Sequence, residues 1–150
     1  MRYAVLVLTL LLEVCSPALA SPEWTEANEI VYQTIAMESA NQDLIGQALV
    51  ARVIINRSVV SHKSLEEICK APKQFSCWNN EKQAKIWLRT HFDENTRRRA
   101  IEAYRLAVGL KKRVFDGLTH YHATSVRPYW AKGKTPAYKV GSHWFYEGIK

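Results

Sequence analysis

The segment from Asp43 to Arg57 has almost no polar face. Leu44, Ile45, Ala48, Leu49, Val50, Val53, Ile54 and Ile55 surround a helix on nearly every side. Such a helix has no surface to offer water, so it is predicted to be the buried centre of a small α domain. A chain of 150 residues supports one core of that kind and one domain. Other elements must be laid against it.

A first helix is predicted ahead of it, opening at Ser21-Pro22 or Thr25 and breaking at Ser39-Ala40-Asn41. Ser64-Leu65-Glu66-Glu67 has the form of a capping box, opening a short turn that Pro72 ends. Asn79 or Asn80 can cap a helix through Leu88. Thr96 to Leu110 gives another, with Ile101, Tyr104, Ala107 and Val108 at helical spacing and Gly109 near its end. Arg97-Arg98-Arg99 opposes the dipole of that helix's first turn and reads as a solvated face. From Val114 the pattern changes. Asp116-Gly117 is a turn signal, and Thr119 to His122 and Tyr138 to Tyr146 are rich in β-forming residues. Pro128, Lys132-Gly133-Lys134 and Pro136 suit a loop between them. The predicted class is α+β, mostly α: a helical domain with a small C-terminal β-ribbon beside a cleft.

The first 20 residues stand outside that domain. Met1-Arg2 is a short cationic start, Ala4 to Leu12 is almost unbroken apolar, and Ala18-Leu19-Ala20 is a cleavage pattern. Together they predict a signal peptide over residues 1–20 and a mature domain over 21–150. The apolar run is too short to cross a bilayer as an ordinary helix, and a retained anchor is the alternative reading. Export places the domain in the periplasm, the wall or the medium.

Cys15 falls in the discarded segment, which leaves Cys69 and Cys77 with seven residues between them. An even pair in an oxidising compartment is expected to form a disulfide, contributing on the order of 2–3 kcal/mol. The formal charge of +7 suits an anionic polymer. Nucleic acid is the usual rival for such charge, and export argues against it. A monomer without a nucleic-acid partner, and without stable membrane association after cleavage, is the expectation.

Glu38 is the leading candidate for chemistry. Val31, Ile35 and Glu38 share one helical face, so the carboxylate lies on its own helix's apolar stripe and at its C-terminal end. Burial and the negative end of the helix dipole both favour the proton-bearing form, which a general acid for glycosidic cleavage requires. Spacing alone leaves a second reading open, in which Glu38 snorkels to water or pairs with Arg52 or Arg57. Phe75, Trp78, Tyr121, Tyr129, Trp130, Trp144, Phe145 and Tyr146 gather around the predicted loops and ribbon. Aromatic faces suit sugar rings, yet composition alone favours a core role for them. His120, His122 and His143, with Glu38, raise a zinc amidase. Against it, no H-E-x-x-H or comparable signature is present, and no metal or cofactor is expected. P-loop, dinucleotide and G-x-S-x-G motifs are likewise missing from the sequence.

Several ordered blocks carry a resemblance. Ile35-Ala36-Met37-Glu38-Ser39-Ala40-Asn41-Gln42, the run Gly46 to Arg57 ending in Asn56-Arg57, and Gln74-Phe75-Ser76-Cys77-Trp78 come first. Thr119 to Ala123, Pro128-Tyr129-Trp130 and Gly141 to Tyr146 follow. Over about residues 30 to 146 the chain resembles the SleB-like cell wall hydrolases, the family of the spore cortex-lytic enzymes. The resemblance implies a lysozyme-like, α-rich fold and cleavage of peptidoglycan between N-acetylmuramic acid and N-acetylglucosamine. It implies an acid/base role for Glu38. One departure stands out: Gln42 occupies the place where family members often carry a second glutamate.

A retaining glycosidase needs a second carboxylate nearby and an inverting one a base farther off. Asp43, Asp93 and Asp116 are possible partners without a supporting motif. With one carboxylate, the muramic acid C6 hydroxyl can attack internally to give a 1,6-anhydro end, so a lytic transglycosylase is the preferred expectation. Gln47, Phe75, Ser76, Tyr121, His122, Trp130 and His143 are the expected sugar-positioning residues. The alternatives are a water-using muramidase, a zinc-dependent N-acetylmuramoyl-L-alanine amidase and a non-catalytic glycan-binding module.

Overall fold

The computed structural model describes residues 26–110 and 115–149. Residues 1–20, read as a signal peptide, and the expected start of the first helix at Ser21-Pro22 or Thr25 lie outside the described residues. The described elements are α1 (Glu26–Ser39), α2 (Leu44–Ser61), α3 (Leu65–Lys70), α4 (Glu81–His91), α5 (Glu94–Gly109), and then β1 (Leu118–Ala123), β2 (Tyr138–Val140) and β3 (His143–Glu147). Single 3-10 turns at Ser76–Trp78 and Tyr129–Ala131 flank the cleft described below. The chain is mostly helical α+β, as the sequence predicts.

α2 is the centre. It begins where the Asp43 side chain accepts from the Gly46 N–H at 2.8 Å, which satisfies one orphan donor of the first turn. It runs four residues beyond the predicted end at Arg57, closing at His62 in the left-handed region with φ 55°. Its apolar girth has a simple cause: two cores use it. Ala48, Ala51 and Ile54 join Val31 and Ile35 of α1, Ile68 of α3 and Ala100, Ala103 and Ala107 of α5. Leu49, Val50 and Val53 face the sheet, where Leu118 and Phe145 meet them. Each fully buried side chain of this size contributes about 1.5–3 kcal/mol over leaving it exposed.

The other helices follow their caps. Ser64 accepts from the Glu67 N–H while the Glu67 carboxylate accepts from the Ser64 N–H, closing both arms of the predicted capping box. Asn80 caps α4, which extends to His91 rather than Leu88. α5 begins at Glu94 and not at Thr96, because Asp93 takes the cap and accepts from the Thr96 N–H at 2.8 Å. Arg97 in its first turn pairs with Glu29 of α1 at 3.1 Å, so this part of the arginine run is a helix–helix tie.

The sheet is antiparallel in the order β1-β3-β2. Tyr121 pairs with Phe145 and Ala123 with His143 across β1 and β3, and Tyr138 pairs with Phe145 across β2 and β3. The stretch from Tyr138 to Tyr146 is therefore a hairpin rather than one strand. Its turn passes through Gly141 at φ 54°, where an added Cβ would collide with the Gln42 side chain. Gln42 sits on that turn deliberately: its amide donates to Ser142 Oγ at 2.6 Å, and its Oε1 accepts from the Ser142 N–H at 3.1 Å. Gln42 thus fastens the α1–α2 turn to the hairpin.

Candidate active site

Glu38 is the penultimate residue of α1 and points into a cleft of about 970 Å³. One wall is built by α4 and the 3-10 turn Ser76–Trp78, the other by β1, the start of β3 and the loop carrying Trp130. The carboxylate is held on both oxygens. Oε1 accepts from the Cys77 N–H at 2.8 Å and from the Ser76 hydroxyl at 3.2 Å. Oε2 accepts from the Tyr121 hydroxyl at 2.9 Å. Neither Arg52 nor Arg57 forms an ion pair with it: Arg52 pairs with Asp116, and Arg57 is used elsewhere. The ion-pair form of the alternative reading, with Arg52 or Arg57 as partner, is therefore not what the structure shows.

The holders are themselves held. Thr34 Oγ1, one turn back on α1, donates to Ile30 O and accepts from Trp78 Nε1 at 2.9 Å, so the 3-10 turn is pinned to the helix that carries Glu38. Asn56 and Arg57 at the far end of α2 fix the opposite wall. Asn56 Nδ2 donates to Phe115 O at 2.6 Å and Leu118 O at 2.8 Å. Arg57 Nε donates to Thr119 O at 2.6 Å, its Nη1 donates to Gln74 Oε1 at 3.1 Å, and its guanidinium lies over the Phe75 ring. Burial lowers the Arg57 pKa, against the opposing pull of Tyr121 and Glu38. Burial first, and then the neighbouring Glu38, push the Tyr121 hydroxyl well above its ordinary value. Tyr121 therefore stays a neutral donor.

A family model described as Cell Wall Hydrolase matches residues 41–146. The chain belongs to this family. No curated protein and no solved structure matches it. Membership makes the domain a cell wall hydrolase with peptidoglycan as its polymer. The matched segment begins at Asn41, so Glu38 lies three residues ahead of it.

The sequence-predicted residues divide. Ser76, Tyr121, His122, Trp130 and His143 line the same cleft as Glu38. Gln47 and Phe75 do not. Gln47 is 5% exposed and donates its amide to Ser39 O and Gln42 O, closing the α1–α2 turn. Phe75, 2% exposed, belongs to the helical core. Phase along the chain decides it: Phe75 turns into the core while its neighbour Ser76 reaches Glu38, which a linear motif cannot distinguish.

His122 is a wall rather than a free group. Its Nδ1 faces Ala123 O at 2.8 Å, which can only accept, so Nδ1 carries the hydrogen and Tyr146 donates to Nε2 at 2.8 Å. His120 and His122 both pack on Trp130, whereas His143 packs on Tyr121 across the sheet. The three histidines thus face two sides of the sheet. Among the described residues no group of three or more His, Cys, Asp or Glu is placed to hold a metal. Burial lowers the His143 pKa, and burial with Arg57 brings His120 down to about 4.

The expected Cys69–Cys77 disulfide is not formed in this structure; both are free thiols. Cys69 belongs to the helical core and Cys77 sits beside Glu38. Burial raises Cys69 to about 11, and burial followed by the Glu38 charge raises Cys77 further, so neither is an activated thiol.

Sequence reasoning did not single out the α4 side of the cleft, where Asn79, Gln83, Trp87 and His91 lie, nor Lys73. Trp87 and His91 did leave a signal, since residues four apart share a helix face.

Proposed function

We propose that this domain is a lytic transglycosylase that cuts the glycan strand between N-acetylmuramic acid and N-acetylglucosamine, using Glu38 first as acid and then as base. The observation that carries the reading is that Glu38 is the one carboxylate among the described residues lining the cleft. The three aspartates that could have supplied a second are committed elsewhere: Asp43 and Asp93 cap α2 and α5, and Asp116 pairs with Arg52. A two-carboxylate mechanism requires its partners about 5–9.5 Å apart across the substrate.

With one carboxylate, the substrate supplies the nucleophile. Oε1 is engaged by a backbone N–H, so the transferable proton belongs on Oε2, beside the rotatable Tyr121 hydroxyl. Glu38 protonates the glycosidic oxygen, and the bond to the muramic acid C1 breaks, releasing the N-acetylglucosamine 4-hydroxyl. The muramic acid C6 hydroxyl then attacks C1 and its proton passes to Glu38. The result is a 1,6-anhydro end and a regenerated acid. Residues 1–20, read as a signal peptide, would deliver the domain to the periplasm or wall, where its polymer lies.

Mass spectrometry of digested wall tests this. Anhydro-muramic ends are expected; reducing ends would give a water-using muramidase, and freed stem peptides an amidase. Glu38→Gln preserves the shape and removes the acid. Lysis should be lost with wall binding retained, and full lysis by that variant would remove Glu38 from the mechanism.

A further inference from the structure

The cleft reaches well past Glu38 along α4. On that arm Trp87 and His91 stack, with ring centroids 5.1 Å apart and planes 17° from parallel. The stack is fixed from below and from the side. Trp87 packs against the helical core. His91 Nδ1 lies 2.6 Å from Thr90 Oγ1 and 3.2 Å from Trp87 O. A carbonyl only accepts, so Nδ1 carries the hydrogen, and the Thr90 hydroxyl donates to Ile86 O at 2.9 Å. In the neutral ring this leaves Nε2 as a free acceptor on an exposed, flat surface. Asn79 and Gln83, both exposed, line the same arm and offer amide donors and acceptors. A volume of about 970 Å³ is at the upper end for a drug-sized ligand site, roughly 300–1,000 Å³, and exceeds what one sugar ring fills.

We propose that α4 carries a second sugar subsite, for an N-acetylated hexosamine ring of the same strand lying away from the scissile bond. The His91–Trp87 stack is its floor, meeting the C–H face of the ring. Asn79 and Gln83 take the acetamido group, whose N–H and C=O match an amide side chain. The proposal rests on reading the cleft as a glycan site. Its consequence is a preference for long strands over short fragments, because binding at the α4 arm needs a ring beyond those at Glu38.

The test is equilibrium binding of peptide-free glycan strands to the full chain carrying Glu38→Gln, comparing the disaccharide with six-ring strands. Adding His91→Ala should weaken six-ring binding about tenfold, or about 1.4 kcal/mol, and disaccharide binding less than about twofold. His91 is exposed, so this variant should fold. Trp87→Ala should do the same, and Trp87→Phe should restore most of the six-ring affinity. Unchanged six-ring binding in His91→Ala, equal losses for both lengths, or no length dependence in the parent would each overturn the subsite. Failure of the transglycosylase reading shows separately, as missing anhydro ends, and leaves the length dependence intact.

Discussion

Tyr121→Phe isolates one hydrogen bond of the proposed mechanism. The Tyr121 ring packs on His143 at 5.2 Å and Phe145 at 5.7 Å between centroids, and phenylalanine keeps both contacts. What is lost is the hydroxyl donating to Glu38 Oε2 at 2.9 Å. A hydrogen bond to a charged group contributes about 1.5–3 kcal/mol. The carboxylate retains Cys77 N–H and the Ser76 hydroxyl on Oε1, so it stays in place but gains rotational freedom at Oε2. If the proton moves through Oε2, most of the lost interaction falls on the chemical step. At about 1.4 kcal/mol per factor of ten, kcat should drop roughly 10- to 100-fold, with KM nearly unchanged. Folding stability should fall by less than about 1.5 kcal/mol, since no packing is removed. The assay is initial-rate release of anhydro-muramic ends from purified wall, beside urea unfolding of the same protein. A kcat within about twofold of the parent, in a folded variant, would refute the assignment of proton transfer to Oε2.

Two further outcomes follow from the fold and the titrating groups. Gly141→Ala forces a side chain into a turn at φ 54° and against Gln42; about 1–2 kcal/mol of backbone cost plus the displaced clamp should lower Tm by roughly 5–10 °C. Gln42→Ala in that background should recover the steric part, and a purely additive double variant would show that the collision is not felt. His120 is held near pKa 4 by burial and Arg57, against about 6.5 in an unfolded chain. Between those values the unfolded chain binds a proton that the folded one refuses, so stability is lost as pH falls from about 6.5 toward 4. The limit is about 3 kcal/mol, reduced to on the order of 1–2 by solvent around a half-buried ring. Urea unfolding of the parent and His120→Gln at pH 7 and 4.5 checks it; identical pH dependence in both would remove His120 as the source.

The order of residues suffices for the elements that obey local rules. The apolar girth of α2, the capping box at Ser64 and the Asp116-Gly117 turn depend on residues a few positions apart, and each appears where predicted. It also placed Glu38 on an apolar face at a helix end, because helical spacing is a local property. Element ends were less legible: Asp93 and Thr96 are both competent caps, and in the structure Asp93 takes the role, accepting from the Thr96 N–H.

How Glu38 is held, and what shares its cleft, depends on contacts between distant parts of the chain. Its three donors come from positions 38, 39 and 83 residues away along the chain, separations at which no periodicity carries information. The same holds for Gln47 and Phe75, which sit in the right motifs and turn into the core, and for Cys69 and Cys77, whose even count implies a bond that the structure does not form. Motif and composition record which groups are present. The direction each one faces is set by α2, which uses one side to build the helical wall and the other to hold the sheet against it.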